Sequence, residues 1–176
     1  MAKKLTKLFF ILITCHFIFL SNIESVFSQS TTSTYPKIAG FVGILHPIIS
    51  FSSAGNHTNF NNNYVIGFPI GINIWKTEKV GFSMEITPFI KAENGVSKMN
   101  NLLFHPGILL KIGHGLTFAG RVAFETSGRY GLTPVFNKVI KRSKNCNYFI
   151  ALPMPVRFGN NQPSSAGVGF QFGISF

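Results

Sequence analysis

Four charged residues, Glu85, Arg121, Glu125 and Arg157, sit inside otherwise apolar stretches of this chain. A carboxylate facing a guanidinium makes a fixed ion pair, and a carboxylate left free can move a proton. Histidine is the other residue type that could do chemistry. His46 and His105 each precede a proline, His57 lies in an asparagine-rich stretch, and His114 stands between two glycines. Nucleophilic catalysis would need a hydroxyl, a base and an acid brought together. No Ser–His–acid spacing stands out, and such triads are defined by geometry rather than by position. No His/Cys/acid cluster has the spacing of metal ligands. The glycines recur at period two, not as a phosphate-cradling loop. The expectation is no catalytic, cofactor-binding or metal-ligating residue, and no cofactor.

The elements that must position these charges read as strands. The chain ends GVGFQFGISF. Val168, Phe170, Phe172, Ile174 and Phe176 alternate with Gly167, Gly169, Gln171, Gly173 and Ser175. Strict alternation means two faces, since successive strand side chains point to opposite sides. Eight such segments follow one another: Lys37–Phe51, Tyr64–Trp75, Lys79–Lys91, Asn101–Ile112, Gly115–Thr126, Tyr130–Ile140, Asn147–Gly159 and Ala166–Phe176. Each is about the ~9–11 residues that a tilted strand needs to cross a bilayer, or slightly more. In the third, Val80, Phe82, Met84, Ile86 and Ile90 oppose Gly81, Ser83, Glu85 and Thr87. In the fifth, Leu116, Phe118, Val122 and Phe124 oppose Thr117, Ala119, Arg121, Ala123 and Glu125. One face is oily and the other is small, polar or charged.

A soluble lipocalin-like barrel would turn the oily face inward and leave the glycine and charged face to water. A membrane barrel turns the oily face to lipid and the small and polar face to its lumen. The expected fold is all-β, an eight-stranded antiparallel up-and-down transmembrane β-barrel over residues 37–176. Its lumen, filled by side chains, holds two ion pairs. Glu85 pairs with Arg121 near mid-height, and Glu125 with Arg157 near the outer end, with Lys111 and His105 close by. Outer loops are expected at Ser52–Asn63, Ala92–Asn100, Ser127–Arg129 and Asn160–Ser165. Inner turns are expected at Lys76–Glu78, Gly113–His114 and Lys141–Cys146. Pro47, Pro69, Pro88, Pro106, Pro134, Pro153 and Pro155 fall near one level, which predicts a belt of bulges or missing ladder bonds there. Phe51, Tyr64, Tyr130 and Phe158 belong to an outer aromatic rim, and Trp75, Tyr148 and Phe176 to an inner one.

The first 28 residues read as a secretory signal peptide. Lys3, Lys4 and Lys7 precede the apolar run Leu8–Leu20, and Val26 and Ser28 precede Gln29 as a small-residue cleavage site. Residues 29–36 form a flexible leader. One cysteine, Cys146, remains beyond residue 28, so no internal disulfide forms. Beyond that point 13 lysines and arginines face 4 glutamates. An exported chain meets lipid headgroups rather than nucleic acid.

On the signal peptide, the eight alternating segments and the ending GFQFGISF, the chain resembles the small outer-membrane β-barrels of Gram-negative bacteria, of the OmpX and OmpA-barrel type. The Ser-Gln junction and the run ALPMPVRFGN resemble uncharacterised barrel proteins of Bacteroidota. The resemblance implies that Phe170, Phe172, Ile174 and Phe176 form the signal that the barrel-assembly machinery reads. It implies an outer-membrane monomer whose partners are membrane lipids and lipopolysaccharide, with no nucleic acid. The expected role is non-enzymatic: envelope structure or surface interaction. The alternative is a lipid-modifying barrel enzyme or a narrow conduit.

Overall fold

The computed structural model describes residues 35–60 and 63–176. The signal peptide at 1–28, and the leader apart from Tyr35 and Pro36, lie outside the described residues. All regular structure described is β: β1 (Lys37–Ser52), β2 (Gly55–Thr58), β3 (Asn63–Gly67), β4 (Ile70–Trp75), β5 (Val80–Glu93), β6 (Val96–Gly113), β7 (Leu116–Glu125), β8 (Tyr130–Arg142), β9 (Asn147–Pro153), β10 (Val156–Phe158) and β11 (Ser165–Ser175). The pairing is antiparallel throughout and returns to its start. β11 joins β1 from Phe41↔Ser175 to Ser52↔Ser165. β3 and β4 follow one path, as do β9 and β10, so the ring passes through eight strand paths. Closure leaves no long unpaired edge among the described residues.

Two of the expected segments are each split at a proline. Phe68-Pro69 separates β3 from β4, and Met154-Pro155 separates β9 from β10. The ladder also slips between Pro47 and Ile49 and between Phe89 and Ile90, one residue past Pro88. Proline removes a donor, and the neighbouring backbone finds substitutes: Gly43 N donates to Pro69 O, and Gly167 N to Pro155 O. These interruptions fall at or on one side of the strand middles. Pro106 also interrupts a ladder, since the β6–β7 pairing skips His105 and Pro106 between Phe104↔Phe124 and Gly107↔Arg121, but it lies off that level. It sits slightly beyond the middle of β6, opposite Met84 in an unbroken stretch of the β5–β6 ladder.

Two expected loops are ladder instead. Residues 92–100 are not an open loop. The β5–β6 pairing continues to Glu93↔Val96, and Asn94 and Gly95 turn the chain with φ of 52° and 76°. Asn-Gly with both residues left-handed is the two-residue turn that matches strand twist. The stretch Ser52–Asn63 likewise opens as a hairpin, with β2 folding back on β1 from Ile49↔Thr58 to Ser52↔Gly55. Asn59 then acts as a substitute peptide, accepting from Val65 N and donating to Val65 O, both at 2.7 Å.

Both ends of the ring are now defined. The terminal end carries Lys37, Phe176 and the turns at 76–79, 113–115 and 143–146. The loop end carries the turns at 53–54, 94–95, 126–129 and 159–164. Outward side chains are apolar: Phe82, Ile86, Phe104, Ile108, Val122, Phe124, Leu132, Phe136, Leu152 and Phe172 are each between 39% and 56% exposed. Inward residues are buried, including Phe41, Leu109, Ala119, Val135, Phe149 and Ala151. Trp75 departs from the expected aromatic rim. Its side chain packs inward against that cluster rather than outward.

The closing seam is tight. A Cβ on Gly173 would press on the Val42 carbonyl oxygen and lie 2.7 Å from the Phe149 ring. On Gly120 the nearest atom would be 3.6 Å away, an ordinary contact. Gly173→Ala is therefore expected to cost about 1–3 kcal/mol of overpacking, while Gly120→Ala leaves stability nearly unchanged. Urea unfolding of the two variants in detergent checks this; equal midpoints would contradict the seam.

Candidate functional site

The interior holds the charged residues. Glu85 on β5 stands directly opposite His105 on β6, and Arg121 on β7 stands opposite Gly107. Gly107 leaves room for the arginine stem, since a Cβ there would lie 2.6 Å from Arg121 Cγ. Arg121 Nη1 donates to Glu85 Oε2, and its Nη2 donates to Ser83 Oγ at 3.1 Å. His105 Nδ1 lies 3.1 Å from Glu85 Oε1, which also accepts from Thr87 Oγ1 at 3.2 Å. All five residues are buried. Every Glu85 oxygen is thus engaged, which a carboxylate out of water requires.

A second cluster lies toward the loop end. Arg157 Nε donates to Glu125 Oε1 at 2.7 Å. Glu125 Oε2 accepts from Asn101 Nδ2 at 2.8 Å and from Ser127 Oγ at 2.9 Å. Arg157 Nη1 reaches Thr133 Oγ1 at 2.9 Å. Arg129 Nη2 ties β8's approach to the last loop through Arg157 O, Pro163 O and Ser165 Oγ. The four charged residues named from the sequence are therefore two pairs, and His105 stands beside the first. Lys111 does not. Its Nζ lies 4.7 Å over the Trp75 ring at the terminal end. Sequence reasoning missed Ser83, Thr87, Asn101, Thr133 and Arg129. Ser83, Thr87 and Thr133 do share the inward face of Glu85 or of the Arg157 partner strand. Arg129 and Asn101 carried no signal, because their partners come from other strands and loops.

Open space remains on both sides of the first cluster. A cavity of about 550 Å³ opens toward the terminal end, walled by Phe41, Trp75, Phe149, Lys111 and Arg142. One of about 350 Å³ opens toward the loop end, beside Glu125, Arg129 and Arg157. Arg121, Val135 and Gln171 line both, so they form the floor between the two.

In acyl transfer a base needs a hydroxyl on the ring nitrogen away from its acid. His105 Nε2 has no hydrogen-bond partner among the described residues. His46 Nδ1 bonds the Tyr64 hydroxyl at 2.6 Å, and His57 and His114 are exposed. Among the described residues no group of three or more His, Cys, Asp or Glu could hold a metal ion. Phe170, Phe172 and Phe176 are exposed on β11 and at its end, and Ile174 is partly buried. Phe176 extends the seam, its N–H donating to Gly40 O at 2.9 Å and its O accepting from Gly40 N at 2.8 Å.

No family model matches the chain, and no curated protein matches it. Among solved structures it is similar to "Solution NMR structure of de novo designed TMB2.3", at 14% identity over 80% of this chain and 93% of that one, with a TM-score of 0.41. It is also similar to "De novo design of transmembrane beta-barrels", at 10% identity over 81% and 99%, with a TM-score of 0.37. The class rests on the chain's own pairing: an all-β antiparallel ring, apolar outside and charged within.

Removing one partner of a buried pair strands the other. Arg121→Met is expected to destabilise the fold by about 3–5 kcal/mol. Glu85→Gln added to it is expected to restore part of that loss, because no bare carboxylate is left. A double-mutant cycle by urea unfolding reads the coupling, and additive losses would show that the two side chains do not interact.

Proposed function

We propose that this chain is an integral outer-membrane β-barrel of eight strands with a non-enzymatic role in envelope structure or surface interaction. The observation that carries this reading is the apolar exterior. Large apolar side chains cover the outside of β4 through β9 and β11 while charges occupy the inside. Soluble monomers rarely expose contiguous apolar patches beyond a few hundred Å², whereas lipid requires such a band around a closed ladder. The signal peptide read at 1–28 supplies export, and an OmpX- or OmpA-like assembly route fits the terminal Phe176.

Membrane lipids and lipopolysaccharide are the partners of the band, and the barrel-assembly machinery is the partner of Phe170, Phe172, Ile174 and Phe176. The protein acts as a monomer. The floor of Arg121, Val135 and Gln171 favours a plugged lumen over a conduit. His105 Nδ1 stands 3.1 Å from the Glu85 carboxylate that Arg121 and Thr87 also hold, and this engagement favours a structural histidine over a catalytic base. Surface interaction then falls to the hairpins around Ser53-Ala54 and Asn94-Gly95.

The test is gel mobility of the unboiled protein from an isolated outer-membrane fraction. The expected result is a compact band that shifts on boiling and is lost when Phe176 is deleted. A heat-indifferent band in the soluble periplasm would overturn the reading.

A further inference from the structure

Charge is distributed unevenly between the two ends. Lys37, Lys76, Lys79, Lys111, Lys138, Lys141, Arg142 and Lys144 all lie at the terminal end, and all are exposed. Glu78 is the one glutamate of that end among the described residues. The loop end has Lys91, Lys98 and Arg129, with Glu93 3.0 Å from Lys91. A ring of like charge around a low-dielectric mouth focuses a field into it and raises the local concentration of anions.

That mouth opens into the 550 Å³ cavity, which has the volume of a small-molecule site. Its wall joins aromatic surface to unused polar groups. Trp75, Phe41 and Phe149 supply the apolar side. Lys111 and Arg142 line it, and among the described residues neither has a carboxylate within ion-pair distance. Lys138 is already engaged, its Nζ donating to His114 O at 2.6 Å. Asn73 also lines the cavity, and its Oδ1 is buried with no hydrogen-bond partner among the described residues. A buried acceptor without a donor is costly and marks a place where a donor fits.

We propose that this cavity binds a small organic anion that also bears a hydroxyl, such as a phosphorylated glycerol. Lys111 and Arg142 take the phosphate, and Asn73 Oδ1 accepts from the hydroxyl. The same chemistry occurs in a free ester and in the headgroup of an anionic phospholipid. Glu78 also lines the cavity, and Lys111 and Arg142 leave the cations in excess of it. The inference stands on the cavity and its charges, not on the outer-membrane reading.

The experiment uses the purified chain in nonionic detergent at low salt. Equilibrium dialysis with radiolabelled glycerol 3-phosphate measures the free ester. Native mass spectrometry compares retention of phosphatidylglycerol with that of phosphatidylethanolamine. Trp75, the only tryptophan in the chain, reports occupancy by its emission. Saturable binding of the free ester supports a soluble ligand; selective retention of phosphatidylglycerol alone supports the headgroup. In either case Lys111→Gln with Arg142→Gln is expected to weaken binding about tenfold or more. Lys91→Gln with Lys98→Gln, at the other end, leaves it unchanged. Asn73→Ala is expected to weaken the glycerol ester but not inorganic phosphate. If the double variant does not fold, Lys111→Gln alone is used. No binding in either arm, or binding indifferent to the Lys111 and Arg142 changes, overturns the proposal.

Discussion

The closing ladder between β1 and β11 is the constraint from which the rest follows. A sheet with free edges can satisfy its backbone with water or with another chain, but a ring must satisfy it internally. Once β11 pairs with β1 from Phe41 to Ser52, every strand has two neighbours and two distinct faces. The period-two pattern then sorts the side chains. Val42 and Phe172 go outward, while Phe41 and Gln171 go inward. The seam itself selects small residues. Gly43 meets Gly173 directly across it, and a side chain on either would collide with the opposite strand.

Closure confines the inward residues to a narrow interior, and that decides the chemistry available there. A carboxylate held away from water is tolerated only when it is fully engaged. Glu85 has Arg121, His105 and Thr87; Glu125 has Arg157, Asn101 and Ser127. These partners come from different strands, so each cluster also fixes the register of the strands it joins. The clusters and the residues Val135 and Gln171 divide the interior into two cavities with different linings. The terminal one is rimmed by cations, and the loop-end one is walled by paired charges and apolar residues.

Local turn chemistry shapes the loop end. Prolines at 69 and 155 break two strands, and the backbone donors near them turn to the proline carbonyls. Asn94-Gly95 makes a two-residue turn, so β5 and β6 stay paired to Glu93↔Val96, past the end of β7, while β3 keeps pace with β5 to Asn63↔Glu93. Asn59 closes the gap where β2 leaves the path and β3 enters it. At this end the stretches 49–58 and 80–113 are therefore paired strands, while 126–129 and 159–164 are turns.

Alternation in β5, β7 and β11 was enough to define strands, faces and the inward position of Glu85, Arg121, Glu125 and Arg157, because side-chain direction in a strand depends only on parity. Mid-height placement of Glu85 and Arg121 was legible for the same reason, by counting from the turns. The proline breaks were legible as a level but not as cuts, since whether a missing donor ends a ladder depends on what stands across from it. The Asn94-Gly95 hairpin was written in the sequence and was obscured by the polar residues around it. What only the tertiary structure decided were contacts across strands: His105 against Glu85, Arg129 against Pro163 and Ser165, and Lys111 over Trp75. These depend on register and on the stagger of the closed ring, which parity leaves free. Trp75, by contrast, faces inward by parity with Gly71 and Asn73, against the aromatic rim expected of it. At the end of β4 it stands where the inward face meets an unfilled cavity, and apolar surface takes the space that the ring encloses.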